Sequence, residues 1–239
     1  MSLRDVPQDW AAAYKQRVAA KAAYIRGKQK AFDWFSIFPF SAEDGFPLIL
    51  LKLLPEVAPD TWAGRDAFLS DVGLFHDPRV ANLPLPRGVG FSGIGRGGGS
   101  ALDYTSFTCA ACHIGRVLGP DGEMIYLDGG VNAEFNINAF FVKLHQTFAA
   151  LSGGGEAAAS KKKMTETFLA ALDKVSARSD TYFYENARYG DKVFDAAYER
   201  AQIALLRKDA EKYVGAFVDY VENFGSSTRQ VETERFCEP

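Results

Sequence analysis

The sequence has no apolar run long enough to cross a bilayer. Its longest, Phe46 to Leu54, is interrupted by Pro47 and Lys52, whereas a spanning helix needs about 20 apolar residues in a row. A signal-peptide pattern is also missing: Arg4 and Asp5 follow Met1-Ser2-Leu3 with no apolar stretch and no small-residue cleavage site. There is no excess of positive charge. Lys and Arg number 27 against 30 Asp and Glu, a net charge of −3 over 239 residues, which offers no field to hold nucleic acid by counterion release. No internal repeat is found. Cysteine, histidine, methionine and tryptophan are scarce, with three of each. So few cysteines exclude a disulfide-stapled mini-protein, and a hydrophobic content of 47% excludes a disordered chain.

That scarcity makes the placement of the cysteines informative. Cys109-Ala-Ala-Cys112-His113 gathers three of the six Cys and His residues into five positions. C-x-x-C-H is the attachment signature of a c-type haem. Cysteines three apart put both sulfurs on one side of a helical turn, where each can form a thioether with a porphyrin vinyl group. The next residue aims its imidazole at the iron. The expected cofactor is therefore one covalent haem c, attached through Cys109 and Cys112, with His113 as the proximal ligand. Two other readings of the cluster stand beside it. Structural zinc needs four ligands, and the rest of the chain offers only Cys237, His76 and His145, with no second pair at finger spacing. A thioredoxin-like pair needs a strand leading into a helix within an α/β pattern, whereas here a glycine-rich loop leads in and a hairpin follows.

The sixth coordination position decides the chemistry of such an iron. A His or Met there closes it for electron transfer, and an open position admits oxygen or peroxide. His145, at the border of an apolar helical stripe, and Met164, just after Lys161-Lys-Lys163, are the candidates; His76 is a weaker one, and Met124 is expected in the core. Arg87, Arg96 and Arg116 lie close enough in sequence to pair with haem propionates. Gly88-Val-Gly90-Phe-Ser-Gly93 matches G-x-G-x-x-G, but Leu-Pro-Leu-Pro stands before it where a nucleotide fold needs a strand. It reads as a turning loop.

Periodicity and punctuation organise the remainder. Helices are expected over about 7–30, from Pro47 to Pro55, over 60–72, over 132–151 and from a Ser160 cap to Val175. A final helical region spans 191–224, with Val193, Phe194, Ala197, Ala201, Leu205, Val214, Phe217 and Val221 along its apolar positions. Regular structure is expected to lapse over 77–100. Ile114 to Leu118 and Glu123 to Leu127, joined by Gly119-Pro-Asp-Gly122, predict a β-hairpin. The expected fold class is mainly α, a cytochrome c-like helical haem domain with a small β-hairpin after the haem motif. Three regions follow: 1–76 packed on the haem domain, 77–151 carrying the haem, and 152–239, ending before a second haem domain.

Leu83-Pro-Leu-Pro-Arg-Gly-Val-Gly-Phe, Thr105-Ser-Phe-Thr-Cys-Ala-Ala-Cys-His-Ile-Gly-Arg and Leu127-Asp-Gly-Gly130 together resemble the N-terminal haem region of the rubber-oxygenase-like di-haem cytochrome c family, related to bacterial di-haem cytochrome c peroxidases. The likeness covers about residues 30 to 150. It implies a periplasmic or secreted, mostly helical protein whose N-terminal haem activates a ligand while a second haem supplies electrons. It also implies an aromatic residue over the haem, for which Phe236 is a candidate. The chain departs from that pattern in having no second C-x-x-C-H. Two functions are therefore expected in parallel. One is a haem c module of an oxidoreductase of peroxidase or dioxygenase type, with a redox partner protein or second haem domain. The other is a mono-haem electron carrier with a closed sixth position; a third, haem-free reading leaves the cysteines as ordinary thiols.

Overall fold

A computed structural model describes residues 35–39, 45–77, 84–95, 101–153 and 157–226, together with isolated positions nearer the N-terminus. The chain divides into two units, Met1–Phe35 and Ser36–Pro239. In the first, Ala12, Gln16, Ala19 and Ala20 are helical and exposed; the rest of the helix expected over 7–30 lies outside the described residues.

In the second unit, Phe46–Pro47 (β1) passes directly into helix α1, Leu48–Val57. Every residue from Leu48 to Leu54 is buried, because the run is apolar on all sides but for Lys52 and the helix sits inside the unit. Pro55 does not end α1 but occupies its last turn. The helix expected over 60–72 is replaced by two 3-10 turns, Arg65–Ala67 and Ser70–Val72. Leu69 separates them with φ of 66°, a left-handed conformation that no α-helix can pass through.

Residues 84–88 are turns as expected, but 89–95 correct the expectation that regular structure lapses there. Val89–Phe91 is strand β2, followed by a four-residue helix α2, Ser92–Gly95. Tyr104–Phe107 is strand β3, and it is central in an antiparallel sheet ordered β1-β3-β2. Phe46 faces Thr105 on one side of β3, and Gly90 faces Ser106 on the other. Glycine is required at 90, since a Cβ there would stand 2.0 Å from the Ile37 carbonyl oxygen. Strand β3 leads through Thr108 into helix α3, Cys109–His113, which runs straight into β4, Ile114–Leu118. β4 pairs with β5, Met124–Asp128, in the register Ile114 to Asp128 through Leu118 to Met124. The hairpin thus forms where the turn residues place it. Its tip projects into solvent, so Met124 is 41% exposed rather than part of the core.

Helices α4 (Ile137–Ser152), α5 (Ala157–Ser176), α6 (Ala196–Lys208) and α7 (Ala210–Ser226) follow among the described residues. α4 starts later than its periodicity predicts, because the Asn136 side chain caps it by accepting from the Ala139 N–H. The region 191–224 is not continuous helix: Ala187–Tyr189 (β6) and Lys192–Phe194 (β7) form a third small sheet, and Asp195 caps α6. The expected mainly-α cytochrome class is therefore corrected to a mixture of helices and three small antiparallel sheets. Strands of two to five residues leave too few alternations for a period of two to show in the sequence. Phe46 ties the layers together, with ring centroids 5.1–6.4 Å from those of Phe107, Phe140, Phe141, Phe217 and Tyr220.

Candidate functional site

Helix α3 holds only the five residues of the Cys-x-x-Cys-His motif, too few to be stable without help from outside. That help comes at both ends. The Thr108 Oγ1 accepts from the Ala110 N–H (3.2 Å) and donates to the Ser36 carbonyl (3.1 Å), while the Thr108 N–H donates to the Gly88 carbonyl (2.9 Å). Beyond the C-terminal end, the Asn132 N–H donates to the Cys112 carbonyl (2.8 Å) and its side-chain amide to the Ala111 carbonyl (3.0 Å). The inner face of α3 is Ala110 and Ala111, each 1% exposed. It packs so closely on the chain at Gly88, where φ is 92°, that a Cβ there would lie 2.5 Å from the Ala111 Cα. Alanine inside and glycine opposite let the two backbones approach.

The outer face carries the chemistry. Cys109 and Cys112 are half-buried thiols not joined in a disulfide, and His113 is exposed. Their i, i+3 spacing puts both sulfurs on one side of the turn. Among the described residues no three His, Cys, Asp or Glu side chains gather as a metal-holding group. The donor set suits a group held by two covalent bonds to sulfur and one axial nitrogen, because that arrangement does not require the sulfurs to meet at the metal.

The remaining expected residues fall in different settings. Arg116, on β4, sends its Nε and Nη2 to Glu134 Oε2 (3.1 and 2.8 Å) and lies 4.6 Å over the Phe75 ring, so its guanidinium already has an anion. Arg87 is buried, with its Nη1 3.9 Å from the equally buried Asp77 carboxylate. Arg96, Phe236 and Cys237 lie outside the described residues. His145 is half-buried on α4, whereas Met164 on α5 is 2% exposed and part of the apolar core. His76 stands at a cavity of about 420 Å³ whose walls include Lys52, Arg65, Phe68 and Glu185. Neither Cys109, Cys112 nor His113 lines that cavity. Burial holds the His76 imidazole below its usual pKa.

Two buried polar groups escaped the sequence reading. Asp103 accepts from the hydroxyls of Tyr184 and Tyr198, both at 2.8 Å, and from that of Ser92 at 3.2 Å, while its N–H donates to Gln202 Oε1 at 2.8 Å. Burial, then the Asp103 charge, drives the Tyr184 hydroxyl pKa well up. Lys52 donates to the carbonyls of Pro84 (2.8 Å) and Phe183 (3.0 Å) and to Glu185 Oε1 (2.7 Å). Burial pulls its pKa down against the opposing pull of Glu185. A lysine inside Leu-Ile-Leu-Leu-Lys-Leu-Leu was the available signal for the second group. The first had none, since Asp103, Tyr184, Tyr198 and Gln202 are scattered along the chain.

No solved structure matches the chain. A curated relative, the uncharacterized protein y4iN of Sinorhizobium fredii (strain NBRC 101917 / NGR234), is 33% identical over 77 residues, 31% of this chain and 35% of the relative, so the match spans about a third of that relative's length. The expected membership of the rubber-oxygenase-like di-haem cytochromes is corrected by the family comparison. A five-residue motif and short proline and glycine turns answer local backbone demands and recur without common descent. The family model that matches is the Y4iN-like domain, over residues 30–113, a span that ends on His113 and so takes in the whole of α3.

Proposed function

We propose that this chain carries one haem c, held by thioethers from Cys109 and Cys112 with His113 as the axial ligand, and that it passes electrons to or from a protein partner in an exported compartment. The observation that carries the reading is α3 itself: its alanines face inward at 1% exposure, while the two thiols of the same turn are half-buried and the imidazole is exposed. The bound group would supply one-electron redox chemistry at its iron. Cys109 and Cys112 would hold the group by adding their S–H across its two vinyl double bonds, which consumes no oxidant and requires both thiols reduced, as they are here. His113 would be the axial ligand, and its exposure leaves the imidazole accessible to such a group.

The two sixth-position candidates stay open: His145 is half-buried on α4 and Met164 lies in the apolar core. The described helices include none long and apolar enough to cross a membrane. The test is expression of the full chain with a c-type cytochrome maturation apparatus, followed by haem staining of a denaturing gel. Staining is expected for the parent and its loss for a Cys109→Ala, Cys112→Ala double variant; an unstained parent overturns the proposal. A reduced spectrum with and without carbon monoxide then separates a closed carrier, which should not change, from an open iron.

A further inference from the structure

Asn132 lies 19 positions beyond His113 in sequence and outside every strand and helix, yet it is 7% exposed and directs its hydrogen bonds at the turn that carries the motif. Its backbone N–H donates to the Cys112 carbonyl (2.8 Å), and its Nδ2 to the carbonyls of Ala111 (3.0 Å) and Gly73 (3.1 Å). Its Oδ1 accepts from the Glu134 N–H (3.2 Å), so the side chain is itself fixed. The Ala111 and Cys112 carbonyls stand at the end of a five-residue helix, where the carbonyls of the last turn have no partner within the helix. Asn132 supplies them. Gly73, which receives its third bond, has φ of 83° and no room for a Cβ against the Glu134 carbonyl, so this anchor is rigid.

We propose that Asn132 is the positioning residue of the haem attachment turn, fixing the Ala111, Cys112 and His113 peptides so that the second thiol and the imidazole are held in place before the cofactor arrives. This rests on the haem reading above. Asn132 acts through the Ala111 and Cys112 carbonyls. Outer partners of this kind set ligand orientation, and their loss typically costs about 10-fold or more in metal-site affinity or activity.

The test compares the full chain with Asn132→Asp, which keeps the Oδ1 acceptor but loses both Nδ2 donors, and with Asn132→Ser. Each is expressed with the maturation apparatus and read as covalent haem per chain and as the midpoint potential of the loaded fraction. The expected result is about tenfold or greater loss of loading in Asn132→Asp, a shifted potential in what does load, and an unchanged far-UV spectrum. Parental loading and potential in both variants overturn the inference while the haem reading stands. If the parent itself takes up no haem, the haem reading falls and the inference with it. Should the variants fail to fold, hydrogen exchange in the parent decides: protection of the Asn132 amide supports the clamp, and exchange at the rate of an open amide overturns it.

Discussion

Lys52 is the residue at which local pattern and packing disagree most. Placed in the middle of an apolar helix, it is 5% exposed, and it stays in the interior because two backbone carbonyls and Glu185 take all three of its protons. Arg65 approaches the same Glu185 oxygen at 3.2 Å. Burial would raise the Glu185 carboxyl, but Lys52 and Arg65 outweigh it and hold the pKa below 4.5. Acidification therefore protonates the unfolded chain first at this group. The stability it contributes is present above pH 4.5 and drains away as pH falls through the lower folded value. Urea midpoints at pH 7 and pH 4 should show a smaller acid loss in Glu185→Gln than in the parent; equal losses would remove Glu185 from the account. Lys52→Met leaves two buried carbonyls without a donor, and should cost about 2–4 kcal/mol at pH 7, since Glu185 keeps Arg65 and some solvent.

Elements differ in how far the sequence betrays them. The hairpin β4–β5 was legible because Gly119-Pro-Asp-Gly122 forces a turn between two apolar runs, and α4 because Phe141, Leu144 and Phe148 keep helical spacing and are buried. On α6 the same logic fails. Its buried face is Glu199, Gln202 and Leu206, while Ala197, Ala201 and, just before it, Val193 face out. Glu199 is drawn inward by the N–H groups of Phe183 and Tyr184, both at 2.9 Å, and hydrophobic periodicity cannot register a polar residue buried by backbone donors. The motif of α3 was legible in full, but what holds it was not: Thr108, Gly88 and Asn132 come from three separate stretches. Thr108 offers the sharper check at this scale. Thr108→Val keeps the shape but removes both the cap to Ala110 and the donor to Ser36, for an expected loss of about 1–3 kcal/mol. Thr108→Ser should restore most of it, and a Val variant as stable as the parent would mean that the cap contributes nothing.

In the second unit, one ring joins the three-stranded sheet to two helices. Phe46 belongs to β1, yet it meets Phe107 of β3, Phe140 and Phe141 of α4, and Phe217 and Tyr220 of α7, so the three-stranded sheet and two distant helices share its surface. At 3% exposure it has no solvent to retreat to. Truncation to alanine should cost about 3–5 kcal/mol, from lost burial and from a cavity walled by rings that cannot all close on it. The sharper expectation concerns how that loss spreads. If these layers unfold as one cooperative unit, hydrogen-exchange protection should fall by the same free energy in α1, α4 and α7 of Phe46→Ala. If α1 keeps its parental protection while α7 loses its own, the unit is two cooperative blocks joined at β1. The turn bearing Cys109 and Cys112 would then belong to the block that holds β3, because α3 continues that strand without a break in the chain.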